Sequence, residues 1–366
     1  MNDKINYKFM SKALALAKKS QGSARPNPSV GAIIVKDKKI VGKGSHEIFG
    51  KDHAEVIAIK EAGLLTKDAD LYVTLEPCNH QGKTPACTNA IISAGIANVF
   101  IAMNDPNPLV NGLGIKCLKR SGIKVTSGIM EEEAKKLNLG FMNRMIKSRP
   151  YIRSKIAISI DGKTSLFNGQ SKWITSEASR LDVQKWRLKS CAILTGKGTI
   201  NSDNPSLNIR NISLEKQPLR IILDSYLRVK VESKILQQNN VIVIYGIDQN
   251  SNLIKLEKTK AKFIKIPLLD NKINLMELMG YLNKLEINEL WVEAGPDLNG
   301  ELLKLGLLDE LITYTAPYIM GGSANGMFNA PILQDMKNKI KLSIIDYRSI
   351  GEDIRIQAQV CKENVD

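Results

Sequence analysis

Residues 53–87 read HAEVIAIKEAGLLTKDADLYVTLEPCNHQGKTPAC, and this stretch decides how the first half of the chain is built. Periodic apolar residues predict a helix over 53–64, a buried strand over 71–75 and a second helix over 84–94. Working outward, Phe9, Met10, Ala13, Leu14 and Ala17 fall at helical spacing within 7–19. Two short apolar runs, 30–35 and 40–44, flank the polar turn Lys36-Asp37-Lys38-Lys39 and predict a hairpin. Downstream, 99–103 reads as a strand, 115–120 and 123–125 as a helix–strand pair, and 135–147 as a helix leading out. The expectation is an α/β sandwich on a mixed sheet, ending at the seam Ser148-Arg149-Pro150.

The second half reads as a new sheet. Strands are predicted at 151–160, 192–195, 220–223, 241–244, 289–293 and 310–316, with helices at 176–189 and 298–305. Segments 341–346 and 354–360 read as an antiparallel end. A length of 366 residues suits two domains of roughly 150–200 residues each. No apolar run reaches the roughly 18–20 residues a membrane helix requires, and the N-terminus does not read as a secretory signal. Five cysteines, Cys78, Cys87, Cys117, Cys191 and Cys361, are too few and odd in number for a disulfide framework, so a cytoplasmic protein is expected.

The net charge of +15 raises the question of nucleic acid. Up to Lys147 the chain has 22 basic and 13 acidic residues; beyond it there are 30 and 24, so the excess is spread over both halves. Aromatics make up only 5%, whereas a nucleic-acid groove pairs a basic stripe with stacking rings. A lysine-rich solvated surface accounts for the charge, and neither nucleic acid nor membrane is expected as a partner.

All three histidines, His46, His53 and His80, lie within 35 positions of one another, and two cysteines follow closely. The order is His53-Ala54-Glu55, then Glu76-Pro77-Cys78, then Pro85-Ala86-Cys87. One imidazole and two thiolates with an open fourth corner suit a zinc ion that lowers the pKa of water toward about 7. Glu55, not a ligand, would shuttle protons. Zinc deaminases combine a His-x-Glu element with a later Pro-Cys-x-x-Cys. Here eight residues separate the cysteines, and the insert Asn79-His80-Gln81-Gly82-Lys83-Thr84-Pro85-Ala86 carries groups suited to a phosphate. In the second half, Gly196-Lys197-Gly198 follows a strand without forming a dinucleotide fingerprint. Gly295-Pro296-Asp297-Leu298-Asn299-Gly300 opens a helix and presents its amides to an anion.

Several segments together resemble the bifunctional deaminase/reductase of riboflavin biosynthesis. These are Pro26-Asn27-Pro28-Ser29-Val30-Gly31, His53-Ala54-Glu55, Thr74-Leu75-Glu76-Pro77-Cys78, His80 to Cys87 and Asn104-Asp105-Pro106-Asn107-Pro108. In the second half they are 155–163, 169–175, 203–207, Trp291-Val292-Glu293-Ala294-Gly295-Pro296 and Ala316-Pro317-Tyr318. The resemblance implies a cytidine-deaminase-like three-layer α/β/α domain over 1–147 and a dihydrofolate-reductase-like α/β domain over 151–366. It implies that Asn27, His46, His80, Lys83, Thr84, Asp105 and Asn107 line a pocket for a phosphoribosylamino-pyrimidine. It also implies NADPH contacts from Ala157, Trp173, Thr199, Asp203, Ser225, Gly295, Pro296, Asp297, Leu298, Asn299, Gly300 and Glu301. Lys155, Ser171, Arg187, Leu207, Arg210 and Glu293 would hold the ribose-phosphate substrate, the two arginines as forked donors. A homo-oligomer is expected by the same analogy.

Two other readings share the metal. A nucleic-acid (tRNA) editing deaminase would use the second half to bind RNA. A purely structural zinc would need a fourth protein ligand, for which His80 is the candidate.

Overall fold

The computed structural model describes residues 2–82, 84–108, 110–210, 217–330 and 333–361. Helix α1 (Asn2–Lys19) precedes the antiparallel hairpin β1 (Gly31–Lys36) and β2 (Lys39–Ser45). Helix α2 (Ala54–Ala62) follows, and a 3-10 turn at Gly63–Thr66 leads into β3 (Asp70–Leu75). Then come α3 (Cys87–Ser93), β4 (Asn98–Met103), α4 (Leu113–Arg120), β5 (Lys124–Ser127), α5 (Glu131–Leu137) and α6 (Leu139–Lys147). The sheet order is β2-β1-β3-β4-β5. β1 runs antiparallel to both of its neighbours, while β3, β4 and β5 are parallel.

Small residues set the layer spacing. Ala54, Ala58 and Ala62 lie four apart on α2, and all three are buried. They face Gly42 and Gly44, two apart on one face of β2. A Cβ on Gly44 would sit 2.0 Å from the Ala54 carbonyl oxygen, and one on Gly42 would sit 2.3 Å from that of Ala58. Gly31 does the same for α1, where a Cβ would come within 2.1 Å of the Ala13 carbonyl oxygen. Gly31 and Ala32, the pairing partner of Gly44, point to opposite faces, so α1 and α2 cover opposite sides of the sheet. Between them Ile33, Ile34, Leu71, Val73, Val99 and Ile101 form the core.

Three expectations need correction here. The second helix of the opening stretch starts at Cys87 and not at Thr84, because Pro85 and the polar insert continue as loop. The exit helix is two helices, broken at Asn138. There the side chain leaves helical register to bond both the N–H and the carbonyl of Ser29, at 2.8 and 3.1 Å. The predicted strand at 123–125 starts one residue later and runs to Ser127.

The chain divides into two units between Arg149 and Pro150. The second opens with β6 (Tyr151–Ser159), α7 (Glu177–Lys189), β7 (Ala192–Gly196), α8 (Lys197–Asp203), β8 (Leu219–Leu223) and β9 (Val241–Tyr245). Next are α9 (Leu253–Leu256), β10 (Lys262–Lys265), the short pair β11 (Leu268–Leu269) and β12 (Lys272–Ile273), and α10 (Leu275–Lys284). It closes with β13 (Glu289–Val292), α11 (Pro296–Lys304), β14 (Glu310–Ala316), β15 (Leu342–Ile350) and β16 (Asp353–Val360). The nine-stranded sheet has the order β10-β9-β8-β7-β13-β6-β14-β16-β15. It is parallel from β10 to β14 and antiparallel at β16 and β15. Helices α8 and α10 and strand β10 were not anticipated; α8 (KGTINSD) has no apolar periodicity to announce it. Among the described residues no helix is long and apolar enough to cross a membrane.

Candidate active site

His53 is the residue before α2, with extended backbone, and Glu55 lies in the first turn. Cys78 follows the end of β3, and Cys87 opens α3. The close fit of α2 on β2 therefore brings one imidazole to two sulfurs delivered by the next strand and helix. His53 Nδ1 lies 3.2 Å from Cys87 Sγ and 3.7 Å from Cys78 Sγ. Among the described residues, His53, Cys78 and Cys87 form a group whose ligand atoms all lie within 4.8 Å of one another.

This triangle fits zinc. Bond lengths of about 2.3 Å to sulfur and about 2.0 Å to nitrogen in a tetrahedron give ligand separations of roughly 3.5–3.8 Å. The electrostatics agree with a cation at its centre. A hydrogen bond from Cys87 brings the Cys78 pKa down to about 4, while that same bond, together with burial, keeps the proton on Cys87. The Cys78 hydrogen bond in turn raises the His53 pKa. Two sulfurs competing for one proton is the arrangement that a dication relieves.

Glu55 is buried beside the triangle, 4% exposed, and burial raises its carboxyl pKa. A buried carboxyl with a raised pKa next to a polar centre is suited to passing protons. His46 is also buried and stands edge-on to His53, with ring centroids 5.0 Å apart. Its Nδ1 faces the Asp52 carbonyl at 3.0 Å and must donate to it. Nε2 is thus left to accept from the Asn27 amide at 2.9 Å. Burial lowers the His46 pKa, in keeping with this neutral tautomer.

The structure brings Asn27, His46 and Thr84 to the metal triangle, the Thr84 hydroxyl lying 3.5 Å from His53 Nε2. Asp105 is buried, its carboxylate accepting the Asn107 N–H at 2.8 Å, and burial raises its pKa to about 6. His80 is exposed and does not belong to the ligand group, so among the described residues that group has no fourth protein member. Lys83 lies outside the described residues.

Glu76 was read only as part of a motif, yet it organises the site. Buried and 3% exposed, it accepts N–H groups from Asp105 at 3.3 Å, Gly112 at 3.0 Å and Ile115 at 3.1 Å. The loop carrying Cys78 is thereby tied to the start of α4 and to the Asp105 loop. Gly114 lets the two backbones meet, since a Cβ there would fall 2.1 Å from the Pro77 carbonyl oxygen. A glutamate two residues before a cysteine was the available signal; its partners, about 30–40 positions downstream, were not legible.

In the second unit, parallel strands bring their C-terminal ends together. Thr199 follows β7, Ser225 follows β8, Glu293 and Gly295 follow β13, and Lys155 and Ala157 lie along β6. Ligands in open α/β sheets bind at this edge. A Cβ on Gly196, Gly198 or Gly295 would meet nothing within 4 Å, so the backbone there is open to a ligand. In the α11 turn, Asn299 is buried and bonded to the Ser154 hydroxyl and the Ala294 carbonyl. Asp297 and Glu301 engage Asn329 and Lys272. Asp203 holds the Lys172 ammonium, and Trp173 is exposed with the Arg180 guanidinium over its ring.

Arg187 also has partners inside the fold. Its guanidinium makes a bidentate pair with Glu293, at 2.6 and 2.9 Å, and donates to the Asn208 carbonyl at 2.9 Å. The two expected substrate contacts thus hold one another, and the Trp291 indole N–H, 2.9 Å from Glu293 Oε1, completes the clamp. Burial lowers the pKa of Lys155, and Glu293 opposes that shift. Leu207 is buried with φ of 50°, while Ser171 is half-buried and Arg210 exposed.

A zinc-deaminase centre in one unit and an open parallel-sheet edge in the next define a two-part enzyme. Comparison with known proteins narrows it. Residues 3–103 match the cytidine and deoxycytidylate deaminase zinc-binding region, and residues 150–356 match the RibD C-terminal domain. The riboflavin biosynthesis protein RibD of Bacillus amyloliquefaciens is 42% identical over 96% of this chain and 95% of its own length. That of Escherichia coli strain K12 is 41% identical over 94% and 97%. The structure of Acinetobacter baumannii RibD, form 1, superposes with a TM-score of 0.91 at 40% identity, covering 98% of this chain and all of that one. The chain belongs to the RibD family, whose members are bifunctional zinc-dependent deaminases and reductases of riboflavin biosynthesis. An RNA-editing deaminase is not favoured, because the second unit matches a reductase family.

Proposed function

We propose that residues 1–147 hydrolytically remove the 2-amino group of 2,5-diamino-6-ribosylamino-4(3H)-pyrimidinone 5′-phosphate. Residues 151–366 then reduce the ribosyl side chain of 5-amino-6-(5-phosphoribosylamino)uracil to ribityl with NADPH. A similar protein from Thermotoga maritima, 32% identical with a TM-score of 0.87, is a diaminohydroxyphosphoribosylaminopyrimidine deaminase and 5-amino-6-(5-phosphoribosylamino)uracil reductase. The observation carrying the first step is a buried Glu55 beside the His53–Cys78–Cys87 triangle.

His53, Cys78 and Cys87 hold the zinc, which when bound lowers the pKa of water toward about 7. Glu55 takes one proton from the attacking water and gives it to the ring nitrogen next to C2, then takes the remaining hydroxyl proton and gives it to the departing amine; the water oxygen stays on C2 as the new carbonyl, and ammonia leaves. Asn27 and His46 orient the ring. Thr84, His80, Lys83, Asp105 and Asn107 complete the pocket, with the insert facing the phosphate.

In the second unit the α11 turn, Ala157, Trp173, Thr199, Asp203 and Ser225 hold NADPH, which supplies the hydride. Glu293 is held rigid by Arg187 and Trp291, next to the Lys155 ammonium. Ser171, Arg187, Leu207 and Arg210 contact the ribose phosphate, the two arginines as forked donors. The chain works as a homo-oligomer in the cytoplasm, without nucleic acid or membrane.

Purified Glu55→Gln tests the first assignment. It keeps its zinc and its reduction of the deaminated intermediate but loses ammonia release by at least about 100-fold. Retained deamination removes Glu55 from its role.

A further inference from the structure

The segment that leaves β14, residues 317–330, runs back past the C-terminal ends of β6 and β13 and is fixed at both of its ends. At β6, the Asp161 carboxylate accepts the N–H groups of Met320 and Gly321 at 3.1 and 2.9 Å, and the Ile160 N–H donates to the Tyr318 carbonyl at 2.9 Å. Met327 and Phe328 pack on Ile156, Ile158 and Leu311. At α11, which follows β13, the Asn329 N–H donates to the Pro296 carbonyl at 3.0 Å. A Cβ on Gly300 would fall 2.1 Å from the Asn329 carbonyl oxygen, so the two backbones touch. The Asn329 side chain is thereby held beside the first turn of α11, where its amide donates to the Asp297 carboxylate.

That bond decides where a negative charge sits. Gly295 caps α11 without a side chain and Pro296 takes the next position, so the helix offers no partner to the N–H groups of Asp297 and Leu298. A carboxylate in a first turn is drawn to such N–H groups and to the positive end of the helix dipole, the place a phosphate would take. Asp297 is exposed, and among the described residues Asn329 is the one hydrogen-bond partner of its carboxylate. Glu301, one turn further on, is likewise taken up, by the Lys272 ammonium at 3.1 Å.

We infer that Asn329 is a positioning residue for the cofactor: it holds the Asp297 carboxylate off the first-turn N–H groups of α11, which stay open for a phosphate of NADPH. The inference rests on the NADPH site proposed above and adds the residue that keeps it open.

The test is NADPH binding by the full chain, followed as quenching of tryptophan fluorescence, in a double-mutant cycle of Asn329→Ala and Asp297→Asn. Both side chains are exposed, and Asn329→Ala leaves the backbone contacts to Pro296 and Gly300 in place. Asn329→Ala should raise the Kd for NADPH about 5- to 20-fold, with kcat at saturating NADPH and the melting profile kept. In the Asp297→Asn background, where no charge competes for the N–H groups, the same substitution should change Kd by less than about twofold. An equal loss in both backgrounds makes Asn329 merely structural and overturns the inference, as does an Asn329→Ala chain that binds NADPH like the wild type. A wild type that binds no NADPH overturns the proposed cofactor site, and this inference with it. Should Asn329→Ala lose its melting transition, Asn329→Leu, of similar shape but without the donor, is measured in the same two backgrounds and read the same way.

Discussion

Gly44→Ala tests whether the packing of α2 on β2 positions the metal centre. In an unconstrained strand, replacing glycine by alanine gains roughly 0.5–1 kcal/mol by removing backbone freedom from the unfolded chain. Here the new Cβ would stand 2.0 Å from the Ala54 carbonyl oxygen and 2.8 Å from the Ala58 N–H nitrogen. Ordinary contact begins at 3.4 Å, so helix and strand must part by about 1.4 Å at that point. Overpacking of this kind costs about 1–3 kcal/mol, which lowers the melting temperature of the N-terminal unit by roughly 3–10 °C. Ala54 lies between His53 and Glu55, and a displacement of about 1 Å at a catalytic group costs on the order of 100-fold in rate. Deamination, followed as ammonia release, should fall about 10- to 100-fold, while NADPH oxidation with the deaminated intermediate stays unchanged as the internal control. Gly42→Ala meets the same helix nearer its far end, where a Cβ falls 2.3 Å from the Ala58 carbonyl oxygen. It should cost similar stability with a smaller loss of deamination. If Gly44→Ala melts at or above the wild-type temperature with full deaminase activity, the packing argument is wrong.

Cys87→Ser removes one thiolate ligand with only a small loss of volume at a fully buried side chain. The zinc-to-protein ratio, measured by plasma emission after dialysis, should drop toward zero while the reductase half-reaction persists; a stoichiometric zinc content would exclude Cys87 from the ligand set. Glu293 carries a pH signature. Burial pushes its carboxyl up, but Arg187 and Lys155 outweigh burial and hold it at about 2. A depressed carboxylate stabilises the fold above its unfolded value near 4.5, and that stability is lost as pH falls toward 2. The contribution is on the order of 3 kcal/mol. Calorimetry of wild type should show the C-terminal unit weakening between pH 4.5 and 2, and Glu293→Gln should flatten that slope; parallel slopes would contradict the clamp.

The sequence by itself determined the chemistry of the first unit. Three ligands and one carboxylate at short range can be read without coordinates, since His53 and Glu55 share a helix turn and both cysteines sit at element ends. It also determined two units, because apolar periodicity restarts after Pro150. Tertiary structure alone decided what holds those groups in place. Glu76 reaches N–H groups on two later loops, Asn138 leaves its helix to grip Ser29, and Gly44 sets the height of α2. Arg187 reads as a phosphate fork in the chain, and its pairing with Glu293, 106 positions away, is visible only in the fold. Local pattern reports which side chains a segment offers. Whether a buried charge meets a ligand or another charge depends on which strands the sheet places side by side, and no window along the chain contains both.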